Sequence, residues 1–299
     1  MKTWMQKIVA SLVPRAVSVW EWHVMRLLFA PLVLWDLRLA KLYKFDSIKD
    51  PVGIAELGVP LTWLSQEWVY PGILYLVGAL LIFYIWGRGL TVVLPLITLI
   101  SIMVRTLENS QGAIHHSHQI IALVLLAQTV VVWWLRMRQW REKDRLPLPV
   151  ASYQIYYSQA IIAASYVTAA LSKLFNSNGL WVLNSPYLAF DLVKSKRQIF
   201  YKNLDPTFAG PPELALWVIE HPMISRVAFG GAFFLELFAL ISLAGRKWAL
   251  FIGLSLIALH RGIFLLMSLK FFNNELMALI FLVNLPFWFV LLFSKKKAA

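Results

Sequence analysis

Residues 156–184 read YYSQAIIAASYVTAALSKLFNSNGLWVLN and contain one lysine, Lys173, close to the polar end of a long apolar run. The run predicts a membrane-spanning helix, because about 20 apolar residues are needed to cross the hydrocarbon core. A lysine within hydrocarbon is costly unless another group pairs with it or it is neutral. Lys173 is therefore the first candidate functional residue.

The composition of the whole chain indicates the same class of protein. Of its 299 residues, 60% are hydrophobic, and the mean hydropathy of +0.67 is typical of a polytopic membrane protein. A net charge of +13 would indicate nucleic-acid binding in a soluble protein, but here the basic residues lie between apolar segments. We therefore predict membrane lipids as partners and no nucleic acid. The absence of cysteine excludes disulfides and thiolate metal sites.

Long apolar windows predict an all-α integral membrane protein, a single domain over residues 1–299 with a bundle of about eight transmembrane helices. The windows are continuous rather than alternating, which favours helices over a barrel. The third window is short and contains Pro95, so it is the weakest candidate. The windows cover residues 19–40, 71–88, 90–105, 113–135, 150–175, 226–244, 247–269 and 273–293.

Basic residues at the ends of the windows predict the orientation. With eight spans, the clusters at 136–145, 246–247 and 295–297 lie on one side, which should be cytoplasmic. Both termini would then be cytoplasmic in a multi-pass cell membrane protein. Residues 1–17 are predicted to form an interfacial amphipathic helix, and the outer connection 176–225 is predicted to carry further interfacial helices.

Most ionisable residues at membrane depth fall in the outer half of the predicted bundle, when depth is counted at about 1.5 Å per helical residue. Polar groups at this depth avoid lipid by facing protein or a water-filled cavity. We therefore predict a common cavity that opens to the outer side. The residues concerned are Asp36, Arg105, Glu108, Asn109, His115, His116, His118, Lys173, Glu236 and His260.

Several of these residues also have a structural interpretation. The Lys173 side chain is long enough to extend its ammonium group to the outer interface, and the histidine cluster is also compatible with a helix start at that interface. Glu236 and His260 are candidates for a structural hydrogen-bonded pair or for proton transfer. His116 points away from the face shared by its two neighbours, and no metal site is predicted.

The apolar surroundings of Lys173 suggest a chemical role. Loss of hydration disfavours the ammonium form, so a lysine in a dry pocket can be a neutral amine and act as a base. Its acidic partner would then be a lipid-soluble molecule.

The run Ala169-Ala170-Leu171-Ser172-Lys173-Leu174, followed by Trp181, resembles a signature of the membrane domain of vitamin K-dependent gamma-carboxylase and its bacterial homologues, the HTTM family. Further motifs follow in the family's order over nearly the whole chain. They are Arg26 in the first helix, Asn109 before His116-Ser117-His118, Glu236 within Phe234-Leu235-Glu236-Leu237, and His260 before the stretch 271–286.

The resemblance implies a membrane enzyme that uses a reduced vitamin K-type naphthoquinone. Lys173 would be the base that starts oxygenation of the quinol by O₂, with His116 as a second catalytic residue. CO₂ would be a further co-substrate, and the resemblance leaves open whether an acceptor, a secreted peptide or a small molecule, is carboxylated. The residues implied around the quinol are His115, His118, His260, Glu236, Asn109 and Trp181.

Two other functions are compatible with the same residues. Asp36, Glu236 and His260 would suit a proton-coupled transporter or a non-catalytic binder of a lipid-soluble or anionic molecule. A membrane partner in the maturation of, or immunity to, a secreted peptide is the other alternative.

Overall fold

The computed structural model describes residues 12–112, 114, 116–142, 146–204 and 213–295. These ranges contain α-helices, short 3₁₀ segments and one π-helix, and no β-strand. The α-helices are α1 (Val19–Leu39), α2 (Val69–Trp86), α3 (Leu90–Asn109), α4 (His116–Glu142), α5 (Val150–Asn176), α6 (Ala189–Asn203), α7 (Glu213–Glu220), α8 (Pro222–Leu237), α9 (Arg246–Met267), α10 (Phe272–Met277) and α11 (Leu285–Lys295).

Five helical segments are long and apolar enough to cross a membrane, which makes the chain a multi-pass membrane protein. All eight predicted windows fall on helical segments, although the number of spans beyond these five stays a prediction. The helix at the third window continues beyond residue 105 to Asn109, even though it contains Pro95. This helix is one of the five. The five segments are Val69–Trp86, Leu90–Asn109, Ser117–Arg141, Arg246–Met267 and Phe272–Leu292.

The predicted N-terminal helix does not extend to residue 17. Residues 12–18 are not helical, and residues 1–11 lie outside the described ranges. Pro14 disfavours helix in this segment. The chain becomes helical at Val19, where Ser18 and Glu21 form a reciprocal capping box.

The bundle is assembled from neighbouring helices in chain order. Helix α4 packs between α3 and α5, α1 packs against α2, and α5 packs against α8. At the centre, the Phe29 ring lies edge-on to Tyr84, with centroids 6.2 Å apart, and to Phe281, at 5.3 Å. These contacts join the first two helices to the C-terminal part of the bundle.

The last predicted window is not one continuous α-helix. After α10 the chain forms a π-helix, Ala278–Val283, and then turns at Asn284, which has a left-handed φ of 51°. Asn284 donates its side-chain amide to Glu21 of α1, so a tertiary contact holds the turn. Pro286 lies in the first turn of α11 and has no backbone N–H to donate to the preceding turn, so one unbroken α-helix cannot keep all its hydrogen bonds through this position.

The outer connection contains α6 and α7, which pack on each other and on the end of α9 through Ala189, Leu192, Ala215 and Val218. Helices are therefore present where interfacial helices were predicted, and their location at a membrane surface stays a prediction. Residues 205–212 of this connection lie outside the described ranges.

Candidate functional site

Lys173 forms an ion pair with Glu236, and this pair is the starting point of the candidate site. The Lys173 ammonium donates to the Oε2 atom of Glu236. Lys173 lies in the last turn of α5 and Glu236 at the end of α8, two helices that pack against each other. Glu236 is only 7% exposed, so its charge depends on the lysine for compensation.

An aromatic wall lies beside the ion pair. The Lys173 Nζ atom is 5.2 Å from the centroid of the Trp181 ring, within the range of a cation–π contact. Trp181 stacks on Phe233, with centroids 5.6 Å apart. Phe233 and Glu236 are three residues apart on α8 and therefore share a helical face. The turn after α5 thus brings Trp181 back over the end of its own helix.

His260 contacts two aromatic side chains, Tyr166 and Phe271, in the same region as the ion pair. The hydroxyl of Tyr166 lies 3.4 Å from His260 Nε2, and Tyr166 shares a face of α5 with Lys173 because it precedes that residue by two turns. Phe271 stacks on the imidazole, with centroids 5.0 Å apart. His260 is 4% exposed, and its Nδ1 atom has no hydrogen-bond partner within the described ranges.

Asn274 contributes another buried polar atom to this region. Its side chain approaches the Tyr166 hydroxyl, and its Oδ1 atom has no hydrogen-bond partner among the residues that the structure describes. Buried polar atoms normally have a partner in the protein, in ordered water or in a ligand. Two such atoms around one tyrosine therefore indicate a place for a bound polar group.

A second polar cluster lies between α1, α3, α4 and α10. Asp36, 1% exposed, accepts from Arg105, whose Nη2 atom is 2.6 Å from its Oδ2 atom. Asn273 donates to the Oδ1 atom of Asp36 at 2.8 Å, and His118 contacts the same oxygen. Arg105 also pairs with Glu108 in the next turn of α3. This network connects four helices through one carboxylate.

The two clusters are neighbours, because Asn273 and Asn274 are consecutive residues of α10. Asn273 binds Asp36 and contacts His118 Nδ1 at 3.0 Å, whereas Asn274 faces Tyr166. The Lys173–Glu236 cluster and the Asp36 cluster are therefore adjacent. Whether they share one outward cavity stays a prediction.

The structure divides the predicted site residues between these clusters. Lys173, Glu236, Trp181 and His260 lie in the first, and His118 belongs to the second. Asn109 is buried at the end of α3, one turn after Arg105. His116 begins α4, but its side chain lies outside the description, as does the whole of His115.

One alternative from the sequence is wrong. The sequence is compatible with a hydrogen bond between Glu236 and His260, but in the structure Glu236 binds Lys173 and His260 contacts Tyr166. A carboxylate interacts more strongly with an ammonium group than with a neutral imidazole, which accounts for this pairing.

Sequence reasoning missed Tyr166, Phe271, Asn273 and Asn274 as parts of the site. Tyr166 had a detectable signal, its seven-residue spacing from Lys173 within one helix. The asparagines had none, because they look like an ordinary break between two apolar segments.

Comparison with known proteins found no relative: no family model, no curated protein and no solved structure matches the chain.

Among the described residues, no three His, Asp or Glu side chains converge as a metal site would require.

Proposed function

We propose that this chain is a multi-pass membrane enzyme of the HTTM type, which binds a reduced naphthoquinone and uses Lys173 as a base. The observation that carries the proposal is the Lys173–Glu236 ion pair beside Trp181, in a helical bundle with five segments apolar enough to cross a membrane. An intramembrane lysine in contact with a carboxylate and an aromatic ring marks a site for proton chemistry on an apolar, ring-shaped molecule.

The residues around the pair fit a dihydroxy aromatic ring. Trp181 on Phe233 and Phe271 on His260 provide flat aromatic surfaces against which such a ring can pack. The buried Oδ1 atom of Asn274 can accept a hydrogen bond from a quinol hydroxyl. His260 Nδ1 can bond the other quinol oxygen, as donor or acceptor according to its tautomer.

The ion pair determines how Lys173 can work as a base. As an ammonium group Lys173 holds its proton, so that proton must first move to the Glu236 carboxylate along their hydrogen bond. The transfer converts two buried charges into a neutral amine and a carboxylic acid, a change that a site with little water makes accessible. Lys173 Nζ can then accept a proton from a bound acid.

When bound, the quinol supplies the acidic hydroxyl whose deprotonation starts its oxygenation by O₂. Asn274 orients that hydroxyl, His260 holds the other quinol oxygen, and the contact with Trp181 holds the lysine head in place. His116, with His115, His118 and Asn109, is proposed to act in the same site on the basis of the family resemblance. CO₂ is proposed as a further co-substrate that would add to an acceptor, and the proposal leaves open whether this carboxylation takes place.

The direct test is incubation of the purified protein with reduced vitamin K and O₂, followed by measurement of the epoxide. We expect product from the wild type and a loss of at least about a hundredfold in Lys173→Ala, the scale of general base catalysis. The matched control is Lys270→Ala, which removes an exposed lysine from the connection between α9 and α10 that has no carboxylate partner within the described ranges. No epoxide from the wild type, or equal amounts from the wild type and Lys173→Ala, would contradict the proposal.

Proton-coupled transport is the second candidate, favoured by one specific observation. Two buried carboxylates, Asp36 and Glu236, belong to adjacent clusters that Asn273 and Asn274 connect. In liposomes loaded with a pH dye, this function predicts proton influx on addition of menadiol, a naphthoquinol without a tail. Influx that requires Glu236 but persists in Lys173→Ala would favour transport over catalysis.

A further inference from the structure

Arg26 of α1 is a buried cation whose contacts within the described ranges are all with neutral groups. The residue is only 3% exposed. Its Nη2 atom donates to the Oε1 atom of Gln154 at 3.2 Å, and its guanidinium lies 3.7 Å from the centroid of the Trp22 ring. No carboxylate pairs with it among the residues that the structure describes. A buried charge without a counterion is costly, so Arg26 is a candidate to bind one from outside the chain.

Two buried donors at this guanidinium have no acceptor. The Arg26 Nε atom and the Gln154 Nε2 atom make no hydrogen bond within the described part of the chain, although Gln154 is 0% exposed. Buried N–H groups normally have a partner in the protein, in ordered water or in a ligand. One uncompensated positive charge and two unsatisfied donors together favour a partner that accepts hydrogen bonds and carries negative charge.

The guanidinium reaches the turn between α2 and α3. A Cβ atom on Gly87, which follows α2, would overlap the Arg26 Nη1 atom, so this glycine lets the guanidinium lie against the turn. Arg88, the next residue, is exposed and adds a second positive charge to the turn. Gln154 lies in the second turn of α5, and Lys173 is about 28 Å further along that helix at a rise of about 1.5 Å per residue. This position is therefore separate from the site around Lys173.

Two helix ends meet at this turn. The C-terminal end of α2 carries the negative end of its helix dipole, equivalent to about half a charge, and offsets only part of the charge of Arg26. Helix α3 is 20 residues long and begins after Gly89 without a side-chain cap. The backbone N–H groups in the first turn of α3 lack intrahelical partners, and they favour an anion at the same turn.

Exposed aromatic side chains beside the turn favour a lipid as the source of the anion. Phe83 and Trp86, in the last turn of α2, are 49% and 63% exposed, and their ring centroids are 6.5 Å apart. Aromatic residues at the ends of membrane helices lie at the level of the lipid headgroups. The turn thus combines positive charge with an apolar surface, as an anionic headgroup and its acyl chains require.

We propose that the turn between α2 and α3 binds a phosphate group through the Arg26 guanidinium, the Arg88 side chain and the first turn of α3. Guanidinium groups match the geometry of phosphate oxygens, and helix starts are common phosphate sites. The phosphate belongs either to the headgroup of a membrane lipid, which the aromatic pair favours, or to free inorganic phosphate. Both present the same chemistry to the turn.

Native mass spectrometry of the full-length protein in detergent distinguishes these sources. The probes are phosphatidic acid, diacylglycerol with the same acyl chains, and inorganic phosphate. We expect phosphatidic acid to be retained and diacylglycerol to be lost. Arg26→Gln and Arg88→Gln should each weaken retention about tenfold, the effect of losing one hydrogen bond to a charged group. Because Arg88 is exposed, its variant tests the site even where Arg26→Gln folds poorly.

The matched control is Arg38→Gln, which removes an exposed arginine from the last turn of α1, about 18 Å along the helix from Arg26. This variant should retain phosphatidic acid like the wild type. If inorganic phosphate binds with the same dependence on Arg26 and Arg88 and the lipid does not, free phosphate is the ligand.

A purely structural Arg26 predicts a different result. Arg26→Gln would then lower the unfolding temperature while Arg26→Gln, Arg88→Gln and the wild type retained phosphatidic acid equally, and this result would overturn the phosphate site. Equal retention of diacylglycerol and phosphatidic acid by the wild type, or an equal loss in Arg38→Gln, would overturn it as well.

Discussion

At the level of single residues, Lys173 and Glu236 depend on each other. A charge in apolar surroundings is tolerated when its partner is in contact and becomes costly when the partner is removed. The Lys173 side chain is 32% exposed, so Lys173 is the less buried member of the pair. Glu236, only 7% exposed, is therefore the charge that depends more on its partner.

Removing one member of the pair should destabilise the protein more than removing both. Glu236→Gln leaves Lys173 without its carboxylate and should cost about 1–3 kcal/mol. Lys173→Met combined with Glu236→Leu should cost less than Glu236→Leu alone, and less than the sum of Lys173→Met and Glu236→Leu, because no charge is left behind. Thermal unfolding in detergent, followed by tryptophan fluorescence, provides the comparison. Strict additivity of the two changes would show that the pair is not coupled.

Gly87 is required for the position of Arg26. The Arg26 guanidinium is buried over the Trp22 ring, 3.7 Å from its centroid. A Cβ atom at Gly87 would lie 2.2 Å from the Nη1 atom of Arg26, and φ at this glycine is +73°. Gly87→Ala should therefore cost about 1–3 kcal/mol through backbone strain and displacement of the guanidinium.

The control for Gly87→Ala is Gly78→Ala within α2, the helix that ends just before Gly87, where the new methyl group meets no atom within 4 Å. Thermal unfolding of the two variants should separate them, with Gly78→Ala close to the wild type. Equal unfolding temperatures would exclude the contact at Gly87 as a constraint.

At the level of elements, α9 can approach the π-helix closely because Gly253 has no side chain. A Cβ atom there would lie 2.9 Å from Leu282 Cβ and 3.0 Å from a Val283 methyl. Gly253→Ala should separate the two segments and cost about 1–3 kcal/mol by overpacking. Gly262→Ala, on the same helix with nothing within 4 Å, is the control for unfolding temperature. A similar shift in both variants would argue against tight packing at this position.

The Asp36 network joins helix α1 to three other helices. One carboxylate accepts from Arg105 of α3 and Asn273 of α10 and contacts His118 of α4. This arrangement positions the segment that carries Asn274 and Phe271, which contact Tyr166 and His260 in the first cluster. The network therefore supports the candidate site even though its members do not contact Lys173.

At the level of the whole molecule, the topology can be tested because the chain contains no cysteine. Single cysteines at Arg88 and Tyr187, both exposed, provide positions for labelling from one side of the membrane. Eight spans place residue 88 inside and residue 187 outside. Membrane-impermeant maleimide on intact cells should then label only Tyr187→Cys. Labelling of both positions or of neither would show that α3, α4 and α5 do not form three crossings between these residues.

Much of the architecture was predictable because it depends on local composition. The predicted windows coincide with helices, and α5 carries Lys173 near its end as expected. The interrupted last segment was not predictable, since the turn at Asn284 depends on a contact with Glu21, more than 250 residues earlier. Likewise, the charges of Asp36 and Arg105 were visible, but their pairing depends on how α1 and α3 pack.

By itself, the sequence determined the helical class, the membrane environment and the improbable position of Lys173, because these follow from the cost of polar groups in hydrocarbon. Only the tertiary structure decided which groups meet. It paired Glu236 with Lys173 and not with His260, and it brought Tyr166 to the His260 imidazole and Asn274 to Tyr166. The physical reason is that hydropathy acts along one segment, whereas hydrogen bonds and ion pairs depend on the relative positions of helices that are distant in the chain.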